Sequence, residues 1–228
     1  MRRRKKKGGL ADLPTVEIRL TKEDIIKDIR KHSSVEYPAF SKTISILSEK
    51  KVKHIVCLGI GDICIDINAR KRLAFVMRVC RELEISVSFF DPITCRACLD
   101  LIAETYKNIT IETENRNGRY SSAEGCIVGF HLPFFLLNNA VYQNLTKEQI
   151  KDFVFIGNSF RHCFRLRKGE SILKEVVDNG LIIDDELDFL GDDTFDLTSI
   201  LTCDEERIDE INESFWSKPR DFLEKESE

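Results

Sequence analysis

Two hydrophobic rhythms alternate along the middle of the chain. Short apolar or β-branched runs occur at His54 to Leu58, Ile85 to Phe90, Ile109 to Glu112, Cys126 to Phe130 and Phe153 to Ile156. Such runs suit strands buried on both faces. Between them, apolar residues recur at helical spacing. Leu73, Val76, Met77, Cys80 and Leu83 mark a helix from about Asn68 to Glu82, and Ile93 to Tyr106 and Phe134 to Tyr142 mark two more. Ile172 to Val177 predicts another, stopped by Gly180. Two helices precede the first strand. One starts after Thr21 with acids in its first turn and Ile25, Ile26 and Ile29 on its apolar side. The next starts at Pro38 and carries Phe40, Ile44 and Leu47. Leu145-Thr146-Lys147-Glu148-Gln149 has the pattern of a capped helix start, and Asn115 to Gly125 reads as a polar surface loop.

Strands that alternate with helices in this way define an α/β fold, a Rossmann-like, mostly parallel sheet of about five strands with helices on both faces. Residues 21–183 hold this domain, the two preceding helices included. Charge separates it from its flanks. The net charge is −4, but Arg2 to Lys7 supply six basic side chains in a 1–20 stretch expected to be flexible, whereas 184–228 carry 17 acidic and four basic residues. The centre is left close to neutral, without the broad positive field that nucleic-acid binding requires. The acidic tail also contains Phe189, Leu190, Phe195, Leu197, Ile200, Leu201 and Trp216. Those anchors argue for partial docking rather than complete disorder.

No apolar run reaches the ~20 residues that span a bilayer, and the basic cluster has no apolar segment behind it, so no membrane or secretory role is expected. The expected location is cytoplasmic and/or nuclear, with Arg2 to Lys7 as a candidate import signal. In that setting the eight cysteines are expected to be reduced and mostly packed as small apolar groups. Cys95-Arg96-Ala97-Cys98 has metal or redox spacing, but zinc needs two further ligands and no second such pair exists, so no metal site is expected.

Ligands of open α/β sheets lie beyond the carboxyl ends of the strands, where strand order reverses. Those ends carry Gly59, Gly61 and Asp62, then Asp91, His131, Asn158 and Ser159. These seven are the candidate ligand-binding residues. The glycines let the backbone turn tightly and approach a bound group. Asp91, after the second strand, stands where an acid binds a ribose hydroxyl pair, or alternatively caps the next helix. His131 is a candidate acid or base. The third glycine of a dinucleotide fingerprint is replaced by Cys64, and Ser159 lacks the Gly-x-Ser-x-Gly elbow, so neither a dinucleotide signature nor a catalytic triad is present.

The motifs in order, Ile55-Val56-Cys57-Leu58-Gly59-Ile60-Gly61-Asp62, Phe90-Asp91-Pro92, Leu132-Pro133 and Phe155-Ile156-Gly157-Asn158-Ser159-Phe160, resemble the SRR-like family, named for "sensitivity to red light reduced". Asn138-Asn139 through Asn144 fits that family's asparagine-containing segment. The resemblance implies a Rossmann-like SRR domain with a regulatory role, in circadian-clock input or clock-gene expression and, in animals, in control of haem biosynthesis. It brings no established catalysis. Where the family usually has a Pro-His-Cys cluster, this chain has Phe130-His131-Leu132-Pro133-Phe134, and Arg72 stands where the family favours glutamine. The leading expectation is a regulatory protein that binds a small nucleotide-like ligand or protein partners of unknown identity. The alternatives are a nucleotide- or S-adenosylmethionine-dependent transferase and a nuclear interaction module acting through the charged ends. No cofactor is specified.

Overall fold

The computed structural model describes residues 20–165 and 171–218. The basic run Arg2 to Lys7 and the final ten residues lie outside the described residues. Nine helices and seven strands follow one another among the described residues. The first six elements are α1 (Lys22–Ser33), α2 (Pro38–Glu49), β1 (His54–Leu58), α3 (Ile67–Leu83), β2 (Ser86–Phe90) and α4 (Arg96–Thr105). Then come β3 (Ile109–Ile111), β4 (Cys126–Gly129), α5 (Phe134–Gln143), β5 (Val154–Asn158), α6 (Phe160–Arg165) and α7 (Ile172–Asp178). The chain closes with β6 (Ile182–Glu186), β7 (Thr198–Cys203), α8 (Glu205–Glu210) and α9 (Glu213–Trp216).

The strands form one sheet in the order β3-β2-β1-β4-β5-β7-β6. All pairings from β3 to β5 are parallel, while β7 runs antiparallel to both β5 and β6. The chain winds outward from β1 to β3, returns to the centre, and then builds the other half. The switch point is therefore the boundary between β1 and β4. Alternation along β1 explains the two core layers. Ile55 and Cys57 face α1 to α4, whereas Val56 and Leu58 face α5 and α7, and all four are essentially sealed from solvent.

Several boundaries follow from local chemistry. Thr21 and Asp24 form a reciprocal capping box at α1. The Asp66 carboxylate accepts the Asn68 N–H at the start of α3. Helix α4 starts only at Arg96, because Asp91 to Thr94 make a tight turn in which the Asp91 carboxylate accepts backbone N–H groups. The segment 145–149 does not open an α-helix. Thr146 Oγ1 accepts the Gln149 N–H, but the following residues make only a three-residue 3-10 turn, Ile150–Asp152, before β5 begins. The cap forms, and the chain has too few residues left to propagate a helix.

The sheet has seven strands rather than about five. A boundary at 184 falls inside β6, and the acidic segment supplies the whole of β7, whose six residues are all buried. Acidic residues hid these strands. Asp184, Asp185 and Glu186 sit on an edge strand, where charge is tolerated and discourages pairing with other chains. The link between β6 and β7 also folds back. Phe189 and Phe195 stack with ring centroids 4.1 Å apart, and both pack against Phe75 of α3 and Tyr37. Asp192 clamps this strap to the domain through Lys71 Nζ at 2.9 Å and the Tyr37 hydroxyl at 2.9 Å.

Candidate functional site

A crevice of about 610 Å³ opens at the carboxyl ends of β1, β2 and β4, on the switch point. Its floor is the turn after β1. Gly59 and Gly61 hold φ of +60° and +102°, a region that costs L side chains energy, and a Cβ on Gly59 would meet Leu132 at 2.7 Å. One wall is apolar, with Phe90, Pro92, Ile93, Phe130, Leu132 and Leu136. Ile65 and Ile93 stand at the edge with 62% and 63% of their surfaces exposed, so the mouth is greasy before anything enters. The facing wall is the loop bearing Asn115, Asn117, Gly118 and Tyr120.

Buried asparagines fix that loop. Asn139 donates to the Asn117 carbonyl at 2.8 Å. Asn144 donates to the Tyr120 carbonyl at 2.8 Å and accepts the Ser122 N–H at 2.5 Å. Asn138 accepts the Leu173 N–H, tying α5 to α7. The asparagine segment that fits the family pattern therefore shapes one wall of the crevice without entering it. Full satisfaction of buried amides is what makes such a wall rigid.

Five of the seven sequence-predicted residues line this space: Gly59, Gly61, Asp62, Asp91 and His131. Their side chains are committed unequally. One Asp91 oxygen accepts the Gly61 N–H at 2.6 Å, and the other accepts Ile93 and Thr94. Burial raises the Asp91 carboxyl above the usual carboxylate range, these three donors pull it back in part, and neighbouring Asp62 pushes it up again. Its first task is to hold the β1 and β2 turns together. Asp62 turns inward, accepting the Cys64 N–H at 2.8 Å. His131 adopts φ of +53°, uncommon for a residue with a side chain. Its Nε2 lies 3.2 Å from the Thr194 carbonyl and its Nδ1 3.3 Å from Asn158 Nδ2, so both ring nitrogens have partners within the fold.

Asn158 and Ser159 lie outside the crevice. Asn158 reaches it only through His131. Ser159 donates to Asp184 at 2.7 Å, with His162 Nδ1 at 3.1 Å from the same hydroxyl, in a smaller hollow of about 120 Å³. Asp184 holds the serine, not the histidine, so this is not the order of a charge-relay triad. Arg72, Asp66, Asn117 and Tyr120 line the crevice without having been singled out as site residues. Arg72 is the cation of the lining, half-buried and held to the Ile60 and Thr194 carbonyls, and its desolvation lowers its pKa. Its departure from the family's glutamine was the available signal.

Cysteine chemistry departs from expectation. Cys64 and Cys98 are joined by a disulfide, although all eight thiols were expected to be reduced. The turn after β1 and the first turn of α4 bring the two Cα atoms to 6.5 Å, within bridging range. The other six are free, and burial pushes the thiols of Cys57, Cys80, Cys126, Cys163 and Cys203 up, to about 12 for Cys80 and Cys203.

An α/β domain with its crevice at the switch point and an asparagine-pinned wall is the class of protein these features define. The model of the SRR1 domain matches residues 25–215, and the chain belongs to that family. It is 28% identical over 138 residues to the SRR1-like protein of Mus musculus, a match covering 58% of this chain and 54% of that protein. The match thus spans about half the length of the curated relative. Among solved structures, the chain is similar to a putative O-methyltransferase from Klebsiella pneumoniae, with a TM-score of 0.43, 12% identity and coverage of 85% of this chain and 92% of that one. Among the described residues no helix is long and apolar enough to cross a membrane.

Proposed function

We propose that this SRR1-family chain is a regulatory protein whose crevice takes a small nucleoside-type ligand and transmits its occupancy to protein partners. The carrying observation is the make-up of the crevice lining. It combines the apolar and aromatic side chains of Phe90, Ile93, Tyr120 and Leu132 with the polar groups of Gly61, Asp91 and Asn117. A flat ring fits the former, and sugar hydroxyls fit the latter. Ribose would reach the outer face of the Asp91 carboxylate, whose lone pairs are not exhausted by three backbone donors. Family resemblance supports clock input or clock-gene expression and haem biosynthesis as the regulated processes, in the cytoplasm or nucleus.

A second reading, a nucleotide- or S-adenosylmethionine-dependent transferase, is favoured by one observation, the placement of an acid after β2 beside the glycine turn of β1. Against it, both ring nitrogens of His131 face structural partners, which leaves the lining's histidine without a free nitrogen for proton transfer. Thermal shift separates the readings. A ligand at 100 times its Kd stabilises the fold by about 2.7 kcal/mol. Adenosine, nicotinamide dinucleotide or S-adenosylmethionine is expected to raise the melting temperature, without turnover on prolonged incubation. Unchanged melting with all three would end the ligand-sensing reading, and ligand turnover would establish the transferase.

A further inference from the structure

We propose that Asp62, Cys64, Cys95 and Cys98 are the four ligands of a single zinc ion held by the reduced chain. The fold supplies what the sequence spacing lacked. Asp62-Ile63-Cys64 leaves β1, and Cys95-Arg96-Ala97-Cys98 opens α4 after β2. Because β1 and β2 are parallel neighbours, their carboxyl ends deliver both pairs to one place. One ligand atom from each of the four residues lies within 4.8 Å of all the others. Cys64 Sγ and Cys95 Sγ are 3.5 Å apart, and Cys98 Sγ is 3.6 Å from Asp62 Oδ1. Sulfurs held about 2.3 Å from a tetrahedral zinc stand about 3.8 Å apart. The Cys64–Cys95 and Cys98–Asp62 separations are close to that value, and the sulfurs of Cys64 and Cys98, bonded to each other here, have to part on reduction to complete the tetrahedron.

Charge points the same way. Cys64, Cys95 and Cys98 are at most 2% exposed and Asp62 is 7% exposed. Among the described residues, no lysine, arginine or histidine forms an ion pair with Asp62. A buried carboxylate without a counter-cation is costly, and a divalent ion bound by it and by thiolates supplies that charge. Cys95 occupies the N-cap of α4 and makes no capping hydrogen bond, while Cys98 lies in the first turn. Three sulfurs and one oxygen, all from the protein, make a closed structural site selective for zinc over harder divalent ions.

The Cys64–Cys98 disulfide is the oxidised, metal-free form of the same cluster. A dithiol reductant gives up two electrons and two protons, becoming a cyclic disulfide, and leaves both cysteines as thiols. Zinc then binds three thiolates, and three protons pass to solvent. Reoxidation reverses these steps and expels the ion. Asp62 also lines the crevice, so metal occupancy and the crevice floor share a residue.

The test uses the full chain kept reduced by a water-soluble phosphine. After incubation with zinc and removal of free ion, the metal is counted by atomic absorption. A single equivalent per chain is expected, and cobalt in its place should give the visible bands of a tetrahedral thiolate site. Cys95→Ser and Asp62→Asn should lose the tightly held ion, while Cys126→Ser, in β4, should keep it. Far-UV circular dichroism checks that each variant folds. The cobalt spectrum of the unaltered chain decides the matter independently of any variant. A reduced chain that retains no zinc and shows no tetrahedral cobalt spectrum overturns the site. Equal metal in the folded Cys95→Ser and Asp62→Asn variants also overturns it.

Discussion

The two halves of the sheet solve the same burial problem with different sequence. In the parallel half, β1 and β4 are buried on both faces, β2 buries Val87 and Phe89 on one face, and the residues of all three are almost all apolar or small. In the antiparallel edge, β6 carries Asp184, Asp185 and Glu186, and its partner β7 buries all six residues, the polar Thr198, Ser199 and Thr202 together with Ile200, Leu201 and Cys203. The first half is held by helix packing around the crevice. The second is held by the ladder to β5, by α7 packed on Ile182 and Leu201, and by an aromatic strap with an ionic clamp. Acidity along a chain is therefore no guide to whether it is docked. What matters is whether the segment carries large apolar side chains to bury, as Phe189, Phe195, Ile200 and Leu201 are buried here.

The largest expected effect would show whether the strap belongs to the core. Phe195 is 3% exposed and packs on Phe75, Phe130, Phe189 and Tyr37. Phe195→Ala should cost about 3–5 kcal/mol in urea unfolding, as for any large core aromatic. A loss under about 1 kcal/mol would mean that the strap is a loose addition and that the halves differ in kind.

A middle-sized effect belongs to the parallel half. In Asp91→Asn one oxygen becomes an amide donor, so at least one of the Gly61, Ile93 and Thr94 N–H groups loses its acceptor. Destabilisation of about 1–3 kcal/mol is expected, reduced by the relief of burying a charge. Full stability in the variant would free Asp91 from its turn-holding role.

The smallest effect is one of pH, and it sets the two halves against each other in sign. Burial would raise the Asp192 carboxyl, but hydrogen bonds from Lys71, Thr194 and Tyr37 outweigh it and bring it from 3.8 to about 2. A carboxyl lowered in the folded state contributes stability above its unfolded value and loses it as pH falls through the folded one. The clamp should weaken between about pH 4 and pH 2. Asp91 is raised, so protonation there favours the folded state over its own acidic range. Melting temperatures across this range should fall more steeply in the native chain than in Asp192→Asn. Parallel curves would remove the clamp from the account.

The parallel half was legible because its signals are local. His54 to Leu58 was read residue for residue, and Pro38 and Thr21 marked helix starts that the structure keeps. Five of the seven candidate residues share one crevice for the same reason, since each lies in the turn that follows a strand end. Ser159 failed to join them because β5 lies one strand beyond β4, away from the switch point. The rest depended on tertiary partners. Asn139 and Asn144 act on a loop some 20 residues earlier in the chain, at separations of 22 and 24. The cluster of Asp62, Cys64, Cys95 and Cys98 pairs two turns that only the register of β1 and β2 brings together.

The position of β7 has a consequence for how the molecule is made. When a ribosome has delivered β5, the parallel core has its last internal strand but an open edge, with unpaired N–H and C=O groups along Val154 to Asn158. The next strand synthesised, β6, cannot close that edge, because its place is one position further out. Closure waits for Thr198–Cys203, so β6 and the strap are synthesised before the strand that docks them exists. Nascent chains cut short inside the strap should be recognised by chaperones and prone to edge-to-edge aggregation, even though every element around the crevice has been synthesised.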